Sequence, residues 1–253
     1  MRRIDFEGNL TLLHDDAIRE LYAYPADPAA PWIRVNFVAS IDGAVSADGT
    51  SGGLGTPADR RLFTILRELA DVVLVGAATV RAENYGGAKP GAAARRRRRE
   101  RGQAPVPPIA VVTASAHLDP RSRLLTDTAV APLVLTGRAA PAERTAALSA
   151  AGATVLTIGD DTVPSTGILA ALAERGLHRV LCEGGPTLFG QLLADDAVDE
   201  LCLTTSPVLV AGRSGRIAAS PAATPTPMRR AHLLADDDGT ILTRWVRDRP
   251  GRL

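Results

Sequence analysis

The 253-residue sequence predicts an α/β fold with a largely parallel central sheet flanked by helices. Short apolar runs alternate with segments of helical periodicity along most of the chain. Several runs, such as 72–75, are apolar at every position, which is typical of strands covered on both faces of a sheet. No internal repeat divides the chain, and 45% of its residues are hydrophobic, which is enough for one full core.

We expect residues 1–30 to form an N-terminal arm, made of an amphipathic piece at 15–24 and a Pro/Ala-rich linker. Residues 31–250 are expected to form a single domain. The apolar runs predict strands at 33–39, 72–75, 109–112, 133–135, 154–158, 179–181, 200–204 and 241–246. The helical patterns predict helices at 57–69, 141–151, 165–175 and 187–194. The first of these has a clear start, with Thr56 as N-cap, Pro57 at the first position and Asp59 in the first turn.

Residues 86–108 interrupt the alternation with Gly, Ala and Pro around Arg95–Arg99 and Arg101. This composition predicts a basic, solvated and mobile surface insertion. We expect replacement of Arg95–Arg99 by Gly and Ser to leave kcat within a few fold. A nucleic-acid or phosphate patch is the alternative, but a formal net charge of +1 and only 4% aromatic residues argue against a nucleic-acid partner.

The composition also bounds the location and the chemistry. Cys182 and Cys202 are the only cysteines, too few for a zinc cluster or a disulfide framework, and both lie in apolar runs. No stretch approaches the ~20 apolar residues of a membrane span, and the N-terminal residues lack the apolar core of a signal peptide. We expect a cytoplasmic protein with no membrane partner and no metal.

Two common motifs match weakly. Residues 49–53 fit the Gly-x-Ser-x-Gly nucleophile elbow, so a serine hydrolase using Ser51, with His232 as its base, is an alternative function. Residues 53–58 fit Gly-x-Gly-x-x-Ala at a helix start. Both motifs need a buried strand directly before them, and the polar residues 46–48 do not supply one.

Three strand ends carry more specific signals. The first strand runs into Ser-Ile-Asp-Gly at 40–43, and the second delivers Gly76 followed by Thr79 and Glu83 on one face of a short helix. The strand 179–181 leads to Glu183, two glycines and a helix that starts with proline. Ligands of open α/β sheets bind at the carboxyl ends of the strands, and free N–H groups at a helix start suit a pyrophosphate.

Taken together, these segments resemble the riboflavin-biosynthesis pyrimidine reductases, the reductase half of the bifunctional deaminase–reductase proteins, over residues 31–247. The resemblance implies a dihydrofolate-reductase-like fold, NADPH as cofactor and hydride transfer to ribose C1′ of a phosphoribosylamino-pyrimidine. It also implies a homodimer, for which the apolar segment 201–210 is a candidate interface, although the same segment fits a core position. A related substrate such as dihydrofolate is the alternative within reductases.

The resemblance further implies roles for individual residues. Asp42 and Glu183 would be the catalytic groups, Glu183 orienting the pyrimidine or ribose, and Arg67 would reach the substrate's 5′-phosphate. The substrate-binding residues would be Asn36, Ser51, Arg67 and Glu183. The cofactor-binding residues would be Val38, Ala39, Gly53, Gly76, Thr79, Glu83, Thr113, Gly184, Gly185, Pro186, Thr187 and Leu188.

The sequence departs from the family pattern at two of these positions. Glu83 stands where the family usually has Asp, and Asn36 stands where many bifunctional bacterial members have Lys. NADPH rather than NADH is expected because Arg138 follows the strand 133–135, and a guanidinium suits a 2′-phosphate.

Overall fold

The computed structural model describes residues 1–4, 10–26, 28, 30–47 and 49–247. The predicted domain end at residue 250 and parts of the predicted arm (5–9, 27 and 29) lie outside these residues. Within the described residues, one sheet contains the strands β1 Arg2–Ile4, β2 Leu10–Leu12, β3 Trp32–Ser40, β4 Val72–Gly76, β5 Ile109–Val112, β6 Leu133–Thr136, β7 Thr154–Thr157, β8 Arg179–Cys182, β9 Glu200–Ser206, β10 Arg229–Ala235 and β11 Ile241–Val246.

The strand order is β2-β1-β10-β11-β9-β3-β8-β4-β5-β6-β7. All pairings from β9 to β7 are parallel, whereas those from β2 to β9 are antiparallel. The prediction of an α/β fold with a largely parallel sheet is therefore confirmed. Strand β3 lies near the middle, between β9 and β8, and its register places Val35 beside Cys182 and Val38 beside Thr204.

Helices cover both faces of the sheet. Those of the described residues are α1 Asp15–Leu21, α2 Pro57–Leu69, α3 Ala77–Ala82, α4 Ala92–Glu100, α5 Arg123–Thr126, α6 Ala142–Ala150, α7 Ser165–Ala173 and α8 Pro186–Ala194. Residues of α7 and α8 share one core with inward side chains of β3 and β4. Residues of α1 and α2 form a second core and those of α3 and α6 a third. Among the described residues, no helix is long and apolar enough to span a membrane.

Helix α2 begins and ends at the predicted residues because its start signals are local. The Thr56 hydroxyl accepts the Asp59 N–H at 3.2 Å, and Pro57 occupies the first position. One face of the helix buries Leu62, Ile65, Leu66 and Leu69 against the sheet. The adjoining face of the helix lines a cavity with the residues at positions 59, 63 and 67, which follow the 3.6-residue period.

The N-terminal segment is more integrated than an arm. Strand β1 pairs with β2 and with β10, so it extends the central sheet. Met1, Leu13 and Ile18 are buried in the core that α2 shares. Strand β10 is not predicted from the sequence either, because its run begins with two arginines and its apolar face is short.

The segment 86–108, predicted to be a basic, solvated insertion, contains a helix whose residues differ in exposure. Residues 92–100 form α4, in which Ala94 and Arg98 are buried. Alanine and arginine are both strong helix formers, so a run of the two favours a helix even without an apolar stripe. Arg98 is fully buried because its guanidinium meets the carboxyl end of α2.

Candidate active site

A cavity of about 920 Å³ lies where β4 and β8 end, between α2 and the segment 84–91. Its floor includes the β3 residues Asn36, Phe37 and Val38. Because β3, β4 and β8 are parallel neighbours, their following residues converge on one edge of the sheet.

Glu183 lies in the cavity wall and is held by three hydrogen bonds. Arg67 donates from Nε and Nη2 to the two carboxylate oxygens, each at 2.7 Å, and the Tyr85 hydroxyl donates to Oε2 at 2.7 Å. The Glu183 side chain is only 3% exposed. Burial would lower the pKa of Arg67, but the Glu183 charge outweighs it and raises that pKa above its ordinary value. The result is a fixed ion pair with a neutral phenol beside it.

Tyr85 is a member of this site that the sequence analysis misses. Burial first, and the Glu183 charge second, raise its pKa well above the ordinary value, so the phenol remains a donor. It follows α3 by way of Asn84, which has a left-handed φ of 49° that asparagine tolerates. No periodic pattern marks a tyrosine after a helix end, so only the three-dimensional contact identifies it.

The two glycines after Glu183 are required by close packing. A Cβ at Gly184, whose φ is +87°, would lie 2.5 Å from the Phe37 ring, and one at Gly185 would lie 2.5 Å from Thr79 Oγ1. The Gly184 carbonyl also accepts the Gly76 N–H at 2.7 Å. This turn delivers the start of α8 to the cavity, which Gly185 and Pro186 line.

Glu83 holds the loop that enters the cavity from the opposite side. Its carboxylate accepts the Ser51 backbone N–H at 2.7 Å, just before the 3₁₀ helix Gly52–Leu54. Glu83 and Ser51 both line the cavity. Glu83, which stands where the family usually has Asp, thus links the carboxyl end of α3 to this loop.

Two further acidic side chains line the cavity, Asp59 and Glu68. Burial raises the pKa of Asp59. Burial also acts to raise the pKa of Glu68, but the hydrogen bonds and charges of three arginines, chiefly Arg97, lower it. From the sequence, Asp59 is expected only at a helix start, and Glu68 has no predicted role.

The structure brings most of the predicted site residues together. Those that line the cavity are Asn36, Val38, Ser51, Arg67, Thr79, Glu83, Glu183, Gly185 and Pro186. The predicted residues outside its lining are Ala39, Asp42, Gly53, Gly76, Thr113, Gly184, Thr187 and Leu188. Thr113 is buried and its N–H donates to Leu135 O, so it joins the ends of β5 and β6.

Asp42 differs most from its predicted role. Its carboxylate accepts the Ser40 hydroxyl and the N–H groups of Val210, at 3.2 Å, and Ala211, at 2.7 Å. The Ser40 hydrogen bond and then these N–H groups lower its pKa to about 2. Asp42 therefore anchors the loop after β9 and lies outside the lining of the cavity, so its catalytic role stays a prediction.

The arrangement around Ser51 does not resemble a hydrolase site. In the described part of the chain, no histidine lines the cavity. His232 lies in β10, buried with its ring 4.6 Å from that of Tyr22. Burial lowers the pKa of His232 to about 4. Among the described residues that line the cavity, Ser51 therefore has no histidine base beside it.

A cleft at the carboxyl ends of parallel strands, in a sheet covered on both faces, places the chain among the α/β enzymes that bind their ligands there. Within that class, the chain belongs to the family of RibD C-terminal domains, whose model matches residues 31–242. The predicted family is confirmed.

Similar proteins carry reductase names. A 2,5-diamino-6-ribosylamino-4(3H)-pyrimidinone 5′-phosphate reductase from Archaeoglobus fulgidus is 30% identical over 184 residues, 72% of this chain and 83% of the relative. One from Methanothermobacter thermautotrophicus is 31% identical over 187 residues, 74% of this chain and 82% of the relative. These names confirm the prediction of an oxidoreductase.

A crystal structure shares most of this architecture. The pyrimidine reductase-like protein of Corynebacterium diphtheriae matches with a TM-score of 0.81 at 28% identity, over 92% of this chain and 98% of that chain. This match confirms the predicted α/β reductase fold.

Proposed function

We propose that this chain is an NADPH-dependent reductase that transfers a hydride to ribose C1′ of a phosphoribosylamino-pyrimidine of riboflavin biosynthesis. The observation that carries the proposal is the Arg67–Glu183–Tyr85 cluster, which faces the cavity beside the glycine turn. The names of the relatives support the substrate class.

The residues around the start of α8 fit a dinucleotide. Gly184 and Gly185 leave no room for a side chain, and the N–H groups of Thr187 and Leu188 have no partner within the helix because they belong to its first turn. Backbone donors at a helix start suit a pyrophosphate, and Thr79 lies beside them. When bound here, NADPH supplies the hydride.

The chain's own side chains bind and orient the substrate. A carboxylate offers about four acceptor positions, and Glu183 uses three of them on Arg67 and Tyr85. One position is left for an amino group of the pyrimidine or a ribose hydroxyl. Arg67 keeps Nη1 for an acceptor, although its pairing with Glu183 leaves less charge for a 5′-phosphate than the resemblance alone suggests. Fixed donors and acceptors of this kind act by orientation.

The test is NADPH oxidation by the purified chain with three substrates: the 2,5-diaminopyrimidinone ribosylamino phosphate, its deaminated uracil counterpart, and dihydrofolate. We expect turnover with one of the two pyrimidines, and transfer of deuterium from C4-deuterated NADPH to C1′. Turnover with dihydrofolate alone would overturn the substrate class. Labelling of Ser51 by a fluorophosphonate would instead support the hydrolase alternative.

We also infer a cytoplasmic homodimer. The two cysteines are free thiols buried in the core, which suits a reducing compartment. The candidate interface 201–210 has a part inside the fold and an exposed part. Strand β9 lies inside the sheet, whereas Val208 and Leu209 are exposed beside Ile41. Light scattering of the purified chain, with Leu209→Asp as the variant, tests the dimer.

A further inference from the structure

The carboxyl end of α2 has an unusual set of hydrogen-bond donors. The last carbonyls of a helix have no partner within it and need donors from elsewhere. The residue that follows α2, Ala70, is neither glycine nor left-handed, so no local cap supplies them.

The segment 98–103 supplies these donors from side chains. Arg98 Nη1 donates to the carbonyl oxygens of Arg67, Glu68 and Ala70 at 3.2, 2.8 and 2.5 Å. Arg101 Nη2 also donates to Glu68 O, at 3.0 Å. Gln103 Nε2 donates to the carbonyl oxygen of Leu69 at 2.9 Å and to the Asp71 carboxylate at 2.8 Å.

Arg98 differs from its neighbours in the arginine run. It is fully buried, whereas Arg95, Arg96 and Arg99 are exposed. Burial lowers its pKa to about 10, so it is still charged at neutral pH. A cation at this position is favoured by the negative end of the α2 dipole.

The turn that Arg98 fixes is the one that carries the ion pair of the cavity. The Arg67 carbonyl is the first of the three that Arg98 contacts, and the guanidinium of the same Arg67 binds Glu183. The next residue, Glu68, also lines the cavity, and Arg97 and Arg101 hold its carboxylate. A small shift of a substrate-positioning group is costly for catalysis.

We propose that Arg98 is a positioning residue, which fixes the last turn of α2 so that the Arg67–Glu183 pair is preorganised for substrate. The catalytic consequence rests on the proposed function. The inference reverses the expectation that Arg95–Arg99 can be replaced as a block, since one member of the run supports the site.

The experiment compares Arg98→Met, which keeps bulk but removes the donors, with Arg99→Ala, an exposed neighbour in the same helix. In ¹⁵N-labelled protein without substrate, the Arg67 Nε–H signal, assigned by its loss in Arg67→Lys, reports the Glu183 contact. We expect Arg98→Met to shift or broaden this signal and Arg99→Ala to leave it unchanged. An unchanged signal in Arg98→Met would overturn the proposal.

Kinetics supply the second readout. We expect Arg98→Met to raise KM for the ribosylaminopyrimidine phosphate at least tenfold, with the Kd of NADPH within twofold of wild type. In an Arg67→Lys background, the same change should add less than twofold, because it acts through Arg67. If the double variant instead raised KM by the product of the two single effects, Arg98 would have a role that does not act through Arg67.

Two further arms keep the outcome decisive. If Arg98→Met does not fold, Gln103→Met removes the donor to Leu69 together with the contacts of Gln103 to Asp71 and Arg101. It leaves the Arg98 donors in place, so we expect a smaller change of the Arg67 signal in the same direction. If the wild-type chain turns over neither pyrimidine, the proposed function fails, and the spectrum still decides whether Arg98 positions Arg67.

Discussion

At the scale of single residues, the carboxylate of Glu183 already accepts hydrogen bonds from protein side chains before any ligand binds. It balances the buried Arg67 guanidinium and accepts the Tyr85 hydroxyl. A buried carboxylate is costly unless donors surround it, and here three donors do. The same contacts that make the charge tolerable also fix its direction toward the cavity.

Glu183→Gln removes the charge and keeps the shape. We expect KM to rise, kcat to fall or both, by about tenfold or more, because a hydrogen bond to a charged group contributes about 1.5–3 kcal/mol. NADPH binding should change less than twofold. The exposed Glu174→Gln serves as the control. A lowered Tm combined with wild-type kcat/KM on every pyrimidine would contradict a substrate role.

A second residue-scale prediction concerns cofactor choice. Arg138 follows β6 and pairs with Asp160 at 2.8 Å, and both side chains are more than 75% exposed. An exposed pair of this kind is weak, so the guanidinium can exchange Asp160 for a 2′-phosphate. We expect Arg138→Ala to lower kcat/KM for NADPH at least tenfold and to leave that for NADH within twofold. Arg121→Ala is the control, and an equal loss with both cofactors would contradict the assignment.

At the scale of elements, the start of α8 depends on how closely β3, β4 and α3 approach the glycine turn. Gly184 faces the Phe37 ring, which stacks on Phe189 of α8 at 5.5 Å between centroids. Gly76 lies under the turn, and a Cβ there would be 3.5 Å from Gly185 N. The family resemblance implies that these glycines bind the cofactor, and the structure adds that other protein atoms already lie where their side chains would be.

Gly184→Ala tests this close approach, and Gly176→Ala is its matched control. Both glycines have a left-handed φ, +87° and +67°, but a Cβ at Gly176 meets nothing within 4 Å. We expect Gly184→Ala to lower the free energy of unfolding by about 1–3 kcal/mol more than Gly176→Ala, since overpacking a filled core costs that much. Urea unfolding measures the difference. Equal losses would mean that backbone conformation alone requires Gly184.

At the scale of the whole molecule, the sequence predicts what is encoded locally. Helix α2 and the strands β5 and β11 have their predicted bounds because caps and apolar runs mark them within a few residues. The residues that directly follow the parallel strands at their carboxyl ends are predictable for the same reason. Contacts between distant segments are not: Glu183 and Arg67 are 116 positions apart, and their pairing follows from the order of the strands.

The same limit applies to residues whose environment is set by tertiary structure. Arg98 has the sequence surroundings of a solvated arginine, and only the approach of α4 to α2 buries it. Strand β1 depends on pairing with β10, more than 200 residues later in the chain. Local composition carries no information about such partners.

A buried ionic cluster joins the parallel and antiparallel halves of the sheet. Glu200 on β9 is fully buried between Arg34 of β3 and Arg244 of β11, and Arg244 Nη2 lies 2.8 Å from its carboxylate. Trp32 Nε1 donates to the same carboxylate at 3.2 Å. The Arg34 guanidinium also lies 3.9 Å from the centroid of the Tyr24 ring, so the N-terminal segment contributes to the cluster.

This cluster predicts how stability depends on pH. Burial would raise the pKa of Glu200, but Arg34 and then Arg244 outweigh it and lower that pKa to about 2. A carboxyl whose pKa is lowered in the folded state stabilises the fold at pH values above its ordinary pKa of 4.5. This contribution is lost as the pH falls toward 2.

Glu200→Gln should lower the free energy of unfolding at pH 7 by about 3–5 kcal/mol, because it leaves buried guanidinium groups without their anion. The variant should also lose part of the wild-type decrease in Tm between pH 4.5 and the lowest pH at which the protein stays folded. The exposed Glu143→Gln is the control. A Glu200→Gln variant with wild-type stability at pH 7 and an unchanged acid transition would show that the cluster does not stabilise the sheet.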